Sequence, residues 1–111
     1  MDRVNKYGQL IQEILDYYAQ IPYSHGDIKS HVIADWTNHH FMLVIIGWDG
    51  KHRVHGMITH AQIIDGKIWI HRDGIEDGIT EKLLEAGVPK SDIVLAFHPP
   101  HIRPHTGFAI A

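Results

Sequence analysis

The chain has 111 residues, of which 44% are hydrophobic and 21% charged, and its formal net charge is -3. This length is enough for one hydrophobic core and too short for two ordinary ones, so residues 1–111 are predicted to form a single domain. The lack of cysteine excludes disulfides, thiolate metal sites and a cysteine nucleophile, and the acidic balance argues against a stand-alone nucleic-acid binder.

The first predicted element is an amphipathic helix over residues 2–18. Asp2 is a suitable N-cap residue, and Pro22 and Gly26 end the helix. Apolar residues recur at steps of three and four, which gives one stripe for packing on a core. The stripe consists of Val4, Tyr7, Ile11, Ile14, Leu15 and Tyr18.

Four strands are predicted next, over residues 28–36, 41–48, 53–64 and 67–72. The first alternates and places Val32, Ala34 and Trp36 on one face. The second is apolar almost throughout, which predicts a central strand covered on both faces. Short connections, above all the Asp65-Gly66 turn, favour an antiparallel meander.

A second helix over residues 75–86 and a fifth strand over residues 93–97 complete the predicted fold. Gly87 suits the left-handed C-terminal cap of this helix, and the chain from Pro99 onward is predicted to be irregular. The predicted inward-facing residues of the helix are Ile75, Ile79 and Leu83. The fold class is therefore α+β: an N-terminal helix, a curled antiparallel sheet (four-strand meander plus a returning strand) and a second helix packed on the sheet.

Eleven histidines make metal binding the first chemistry to consider. His98, His101 and His105 lie within eight positions, a short spacing that zinc sites use, but no thiolate or HExxH pair accompanies them. The favoured interpretation is a polar rim with one structural histidine, His98. His39 and His40 are adjacent, so in a strand they point to opposite faces and cannot easily share an ion.

Four further histidines lie on the third and fourth predicted strands. His60 and His71 are placed to face each other across the hairpin, although exposed sheet positions are the simpler interpretation for them and for His52 and His55. We therefore assign no metal ligand, no cofactor-binding residue and no catalytic residue.

Acidic residues cluster after the fourth strand at Asp73, Glu76 and Asp77. Paired carboxylates can bind magnesium or transfer protons, but acids near the start of a helix are also what the helix dipole favours. The structural interpretation is therefore preferred. Lys67 with Asp65 and Asp73 is a poor match to a nuclease set, because Asp65 lies in a tight turn.

Basic residues form a small cluster at Lys51, His52 and Arg53, and Arg72 and Arg103 are expected near the other end of the sheet. With an acidic net charge, a solvated turn is a better interpretation of the cluster than a phosphate-binding site.

Three tryptophans, Trp36, Trp48 and Trp69, lie on predicted strands and are expected to anchor the core or an interface. A domain of this size with two helices is too small to cover both faces of its sheet, so a homodimer is the simplest way to bury an apolar outer surface.

Motifs along nearly the whole chain carry a family resemblance. They include Gly26-Asp27-Ile28, Gly47-Trp48-Asp49, Arg53-Val54-His55-Gly56, Asp65-Gly66-Lys67-Ile68-Trp69-Ile70, Asp73-Gly74-Ile75-Glu76-Asp77-Gly78-Ile79, and the segment from Gly87-Val88-Pro89-Lys90 to Phe97-His98. Together they resemble the XisI-like family, the fdxN element excision controlling factors of filamentous cyanobacteria.

The resemblance implies an accessory or regulatory protein in the programmed excision of a DNA element during heterocyst differentiation. Such a protein assists a separate recombinase, alongside a nuclease-like, XisH-like companion, and the family supplies no catalytic residue. With no catalytic set and no basic face in the sequence, we expect a non-enzymatic protein that acts by protein–protein contact.

Two alternatives remain. One is a metal-dependent DNA-processing enzyme that uses the acids near Asp73 or the histidines near His98. The other is a weak DNA-binding directionality factor. No apolar run reaches the roughly 18 residues needed to span a bilayer, and the first twenty residues differ from a signal peptide, so a cytoplasmic location is expected.

Overall fold

The structure of the protein is a computed structural model that describes residues 3–111. These residues form helix α1 (Arg3–Ala19), strands β1 (Asp27–Asp35), β2 (His40–Asp49), β3 (His52–Ile64) and β4 (Lys67–Asp73), helix α2 (Ile79–Glu85) and strand β5 (Ile93–Leu95). Single 3-10 turns lie at Lys90–Asp92 and Arg103–His105. The predicted α+β class is confirmed. The predicted N-cap, Asp2, lies outside the described residues.

The strands form one sheet in the order β1-β2-β3-β4-β5. The predicted four-strand antiparallel meander is confirmed, whereas β5 pairs parallel to β4, so the sheet is mixed. After β4, the chain crosses over through α2 and returns to the end of the sheet where β4 begins. Strand β5 therefore runs in the same direction as β4, and the two strands pair parallel. Asp65 and Gly66 both have positive φ, 50° and 77°, as the tight hairpin turn between β3 and β4 requires.

Helix α1 packs on one face of this sheet. Its apolar stripe, with Ile11 and Leu15 fully buried, meets inward-facing residues of β2, β3 and β4. Those strand residues are Phe41, Leu43, Ala61, Ile63, Ile68 and Ile70. Val32 and Ala34 of β1 pack against the same core, as predicted from their alternation. Trp36 lies on this side as well, where its indole nitrogen donates a hydrogen bond to Gln12.

Helix α2 is shorter than predicted and begins at Ile79 instead of residue 75. The preceding residues form a turn that ends at Gly78 with a φ of 81°, and the helix ends in the predicted glycine cap at Gly87, with a φ of 96°. The amides of Gly87 and Val88 donate to the carbonyls of Leu84 and Leu83, which satisfies the last turn. The three residues predicted to face inward, Ile75, Ile79 and Leu83, are all buried.

Strand β2 corrects one prediction. Its inward residues Phe41 and Leu43 are buried, but Met42 and Val44 are only partly buried and Trp48 is 49% exposed. The strand is interior to the sheet, yet among residues 3–111 both helices belong to the core on one side of it. An almost continuous apolar run therefore does not mean here that both faces are covered.

The C-terminal segment, residues 96–111, runs along β4 and β5. Arg103 donates to the carbonyls of Ala96 and His98 and lies over the ring of Trp69 at 5.3 Å. Ala109 forms an isolated parallel bridge with Val94, on the outer edge of β5. The predicted irregular tail is confirmed and contains one short helical turn. Within residues 3–111, no helix is long and apolar enough to cross a membrane.

Candidate functional site

The face of the sheet opposite α1, here called the open face, carries a mixture of apolar and histidine side chains. Because side chains alternate along a strand, residues two positions apart share a face, except where a bulge intervenes. Its central residues are Ile33 of β1, His40, Met42 and Val44 of β2, Met57, His60 and Gln62 of β3, and Trp69 and His71 of β4. Ile33 is 46% exposed, so the open face presents apolar surface to solvent.

Three imidazoles form a row across the open face. The Nδ1 atom of His40 lies 2.9 Å from the Nε2 atom of His60, at hydrogen-bond distance. The rings of His60 and His71 are 4.8 Å apart between centroids. The Nε2 atom of His71 is hydrogen-bonded to Oε1 of Gln62 at 3.0 Å. The row therefore joins β2, β3 and β4.

Two of these histidines favour the neutral form. Burial lowers the pKa of His60, and the nearby charges of His71 and His40 lower it further. Burial also lowers the pKa of His71, with His40 again adding to the effect. An imidazole that stays neutral at pH 7 keeps one nitrogen lone pair available for a hydrogen bond or a ligand.

The predicted exposed positions hold for only half of the strand histidines. His52 and His55 are exposed, as predicted, whereas His60 and His71 are partly buried, so the exposed interpretation is wrong for them. Their predicted approach across the hairpin is confirmed. The role of His40 was missed, because it depends on the β2–β3 register, in which Met42 opposes His60 and His40 opposes Gln62.

The tail histidines do not converge. His98 is partly buried and its ring contacts that of Phe97, with centroids 4.6 Å apart. His101 and His105 are exposed. Across residues 3–111, no three side chains of histidine, aspartate or glutamate are arranged to enclose a metal ion.

Asp73 has a structural position before α2. Its Oδ1 accepts a hydrogen bond from the backbone amide of Ile79 at 2.8 Å, and its Oδ2 accepts from the amide of Thr80 at 3.3 Å and from the Thr80 hydroxyl at 3.1 Å. Both oxygens are thus engaged in starting the helix. Glu76 and Asp77 are exposed beside it.

The two exposed acids border a shallow groove between α1, the loop after it and the turn before α2. The groove has a volume of about 360 Å³ and is lined mainly by Tyr18, Ile21, Pro22, Tyr23, Ile58 and Ile75. Most of its lining is apolar, and it lacks a basic side chain among the described residues that line it, so it does not resemble a phosphate-binding cleft.

The nuclease-like set considered from the sequence does not assemble. Lys67 and Asp73 lie at opposite ends of β4, six residues or about 20 Å apart at ~3.3 Å per residue. The ammonium group of Lys67 donates to the backbone oxygen of Ala111 at 2.6 Å. Asp65 stays in its turn with a positive φ, so the three groups share no site.

The basic residues are dispersed, and two of the arginines lie on tryptophans. Arg53 lies over Trp48 at 5.2 Å, and Arg103 over Trp69 at 5.3 Å. Trp48 is 49% exposed and Trp69 is partly buried. Trp48 therefore lies at the surface and Trp69 under the tail. The two arginines that contact these rings also donate hydrogen bonds to backbone carbonyls, which fixes their positions.

One partly buried polar contact was missed from the sequence. The hydroxyl of Tyr7, a core residue on α1, donates to a carboxylate oxygen of Asp92. Burial, together with this hydrogen bond and the charge of Asp92, raises the pKa of Tyr7 to about 12. Arg3 pairs with the same carboxylate at 3.8 Å. The contact fixes α1 to the turn before β5.

The fold and the motif set define the class. The family model described as XisI protein matches residues 1–110, so the chain belongs to the XisI family.

Two solved structures are similar over almost their whole length. A XisI-like protein from Anabaena variabilis is 32% identical with a TM-score of 0.89, and the match covers 97% of this chain and 99% of that one. The fdxN element excision controlling factor XisI from Anabaena variabilis is 39% identical with a TM-score of 0.81, and the match covers 99% of this chain and 100% of that one. Among curated proteins, none matches this chain.

Proposed function

We propose that this chain is a non-enzymatic, cytoplasmic accessory protein that controls the excision of a DNA element by binding another protein. The excision context comes from the family and from the 39% identical relative named fdxN element excision controlling factor XisI. The partner is a nuclease-like, XisH-like companion or a component of the recombinase.

The open face of the sheet is the observation that carries this proposal. It places Ile33, 46% exposed, beside Met42 and Val44, while both helices pack into the core on the other side. Contiguous apolar surface of this kind is typical of an interaction site. In the free protein, a second copy covers the open face and gives a homodimer.

The acidic residues support a non-enzymatic role. Asp73, the acid best placed in a candidate magnesium site, uses both carboxylate oxygens to hold the start of α2. A general base or metal ligand needs a free lone pair directed at its substrate or ion. The remaining acids of the cluster are exposed at the rim of an apolar groove.

Binding to the companion is tested with purified proteins. This chain is mixed with the nuclease-like companion encoded in the same host, and complex formation is followed by size-exclusion chromatography with and without nuclease pretreatment. We expect a complex that forms without DNA. Binding that requires DNA, or that weakens steeply as salt rises in a gel-shift series, contradicts the proposal and supports the directionality factor.

Two variants test the open face. Ile33→Asp puts a charge on the open face, whereas Tyr17→Asp puts one on α1, where Tyr17 is 62% exposed. We expect Ile33→Asp to abolish the homodimer in light scattering and Tyr17→Asp to leave it unchanged. A wild-type monomer at micromolar concentration rules out the dimer, and equal behaviour of the two variants rules out this face as its interface.

An activity assay tests the competing enzyme. Cleavage of DNA in the presence of Mg²⁺ or Mn²⁺ that disappears in a folded Asp73 variant overturns the non-enzymatic part of the proposal.

A further inference from the structure

Two imidazole nitrogens on the open face, Nδ1 of His40 and Nε2 of His60, lie 2.9 Å apart. In a hydrogen bond between two neutral rings, one of these nitrogens carries a proton and the other accepts it. If the donor ring instead carries its proton on its other nitrogen, both Nδ1 of His40 and Nε2 of His60 have a free lone pair. Neutral imidazole nitrogens in this state are the form that binds metal ions.

The separation of the two nitrogens fits one class of coordination geometry. With metal–nitrogen bonds of about 2.0–2.1 Å, neighbouring ligands are about 2.9 Å apart at a right angle and about 3.4 Å apart in a tetrahedron. The observed 2.9 Å therefore matches the tetragonal arrangement that Cu²⁺ and Ni²⁺ adopt with nitrogen ligands. Mg²⁺ and Ca²⁺ prefer oxygen ligands and do not suit this pair.

The sheet holds the two rings in place before any ion arrives. His40 and His60 lie diagonally on paired strands, and the β2–β3 register fixes their backbones. His71 packs against His60 on the far side and is itself held by Gln62. Ligands that are positioned in advance by strands and by outer partners bind with less loss of conformational freedom.

The charged neighbours of the pair lie on the flanking strands. The carboxylate of Asp35, on β1, opposes His40 in the β1–β2 register and places negative charge near the pair, which attracts a cation. Arg72 opposes His60 in the β3–β4 register and is exposed, so its charge is screened by solvent.

We propose that His40 and His60 form a two-imidazole site for a divalent transition-metal ion, Cu²⁺ or Ni²⁺, on the open face, with solvent in the remaining coordination positions while that face is uncovered. His71 supports His60 from the neighbouring strand. The site lies on the face proposed to bind the companion and a second copy, and it involves neither the acids near Asp73 nor the tail histidines.

Metal titration of untagged protein tests this site. Cu²⁺, Ni²⁺ and Mg²⁺ are titrated separately at pH 7.5 by calorimetry, on the wild type, His60→Ala, His55→Ala and His101→Ala. Removal of an outer partner alone weakens metal sites about 10- to 100-fold, so loss of a ligand is expected to weaken Cu²⁺ binding about 100-fold or more. His55 is an exposed residue of the same strand and His101 one of the tail, and both variants should bind like wild type within about threefold.

A second measurement keeps the test valid if His60→Ala fails to fold. Imidazole ¹⁵N spectra of the wild type are recorded during titration with Cu²⁺, and paramagnetic broadening should remove the Nδ1 signal of His40 and the Nε2 signal of His60 together, before the signals of the other histidines. Cu²⁺ binding that survives in His60→Ala, that is lost in His101→Ala, or that leaves these two signals sharp overturns the proposal. Binding of Mg²⁺ at the same nitrogens also overturns it.

Discussion

Replacing Asp73 with alanine tests whether this carboxylate has a structural role or a catalytic one. The side chain accepts three hydrogen bonds from two residues of the first turn of α2. Without it, the amides of Ile79 and Thr80 lose their partners, and the turn that precedes the helix loses its connection to β4. We expect Asp73→Ala to lower the free energy of unfolding.

The size of the effect follows from the contacts. Loss of an N-terminal cap costs about 0.5–2 kcal/mol, and a hydrogen bond to a charged group is worth about 1.5–3 kcal/mol. Because the contacts are only part-buried and act as one unit, their effects overlap, and a total of about 2–3 kcal/mol is expected. For a domain of about 100 residues, this corresponds to a fall in Tm of roughly 10–20 °C.

Chemical denaturation of three variants provides the assay. Asp73→Asn keeps the oxygen that accepts from Ile79 and should lose about half as much stability as Asp73→Ala. Asp77→Ala removes an exposed acid of the same cluster and should stay within about 0.5 kcal/mol of wild type. Asp73→Ala with wild-type stability would falsify the capping role and return this carboxylate to the list of groups free for catalysis.

Three further predictions concern the core, the sheet and the open face. Gly47→Ala should destabilise by about 1–3 kcal/mol, since its Cβ would lie 2.0 Å from a backbone oxygen of β1, whereas Gly56→Ala, with no atom within 4 Å, should be neutral or better in a melting series. Absorbance titration should show one tyrosine that ionises near pH 12. Because the pKa of Tyr7 is raised from 10.0 in the folded state, its stabilising effect is complete below pH 10, declines as pH rises through about 12 and disappears in Tyr7→Phe. The pKa values of His60 and His71 are lowered in the folded state, so the unfolded chain binds more protons below pH 6.5 and the free energy of unfolding should fall on acidification. Urea denaturation at several pH values should show a smaller fall for His60→Gln than for the wild type.

Local signals in the sequence were enough for most of the fold. The apolar stripe of α1, the Asp65-Gly66 turn and the Gly87 cap are short-range features, and each was in the predicted place. The parallel pairing of β5 was not predictable in this way, because it depends on where α2 returns the chain. The start of α2 was misplaced because the cap is Asp73, six residues before the first amide it binds.

The candidate site was less accessible from the sequence than the fold. The approach of His60 and His71 follows from one hairpin and was foreseen. The His40–His60 contact joins residues 20 positions apart and requires the register of β2 on β3, including the shift between Leu43 and Val44. The apolar run of β2 predicted that both faces of the strand are covered within the chain, and this prediction was wrong. Hydrophobicity alone does not show whether a helix of the same chain or another molecule provides the cover.

The two margins of the sheet are not equivalent. At the β5 margin, Ala109 already bridges Val94, while at the other margin β1 has a single described strand neighbour, β2. A pairing of two β1 strands would use the nine-residue edge strand of both copies. It would leave at each outer margin only the three-residue β5, already bridged by Ala109, which is a poor template for a further strand.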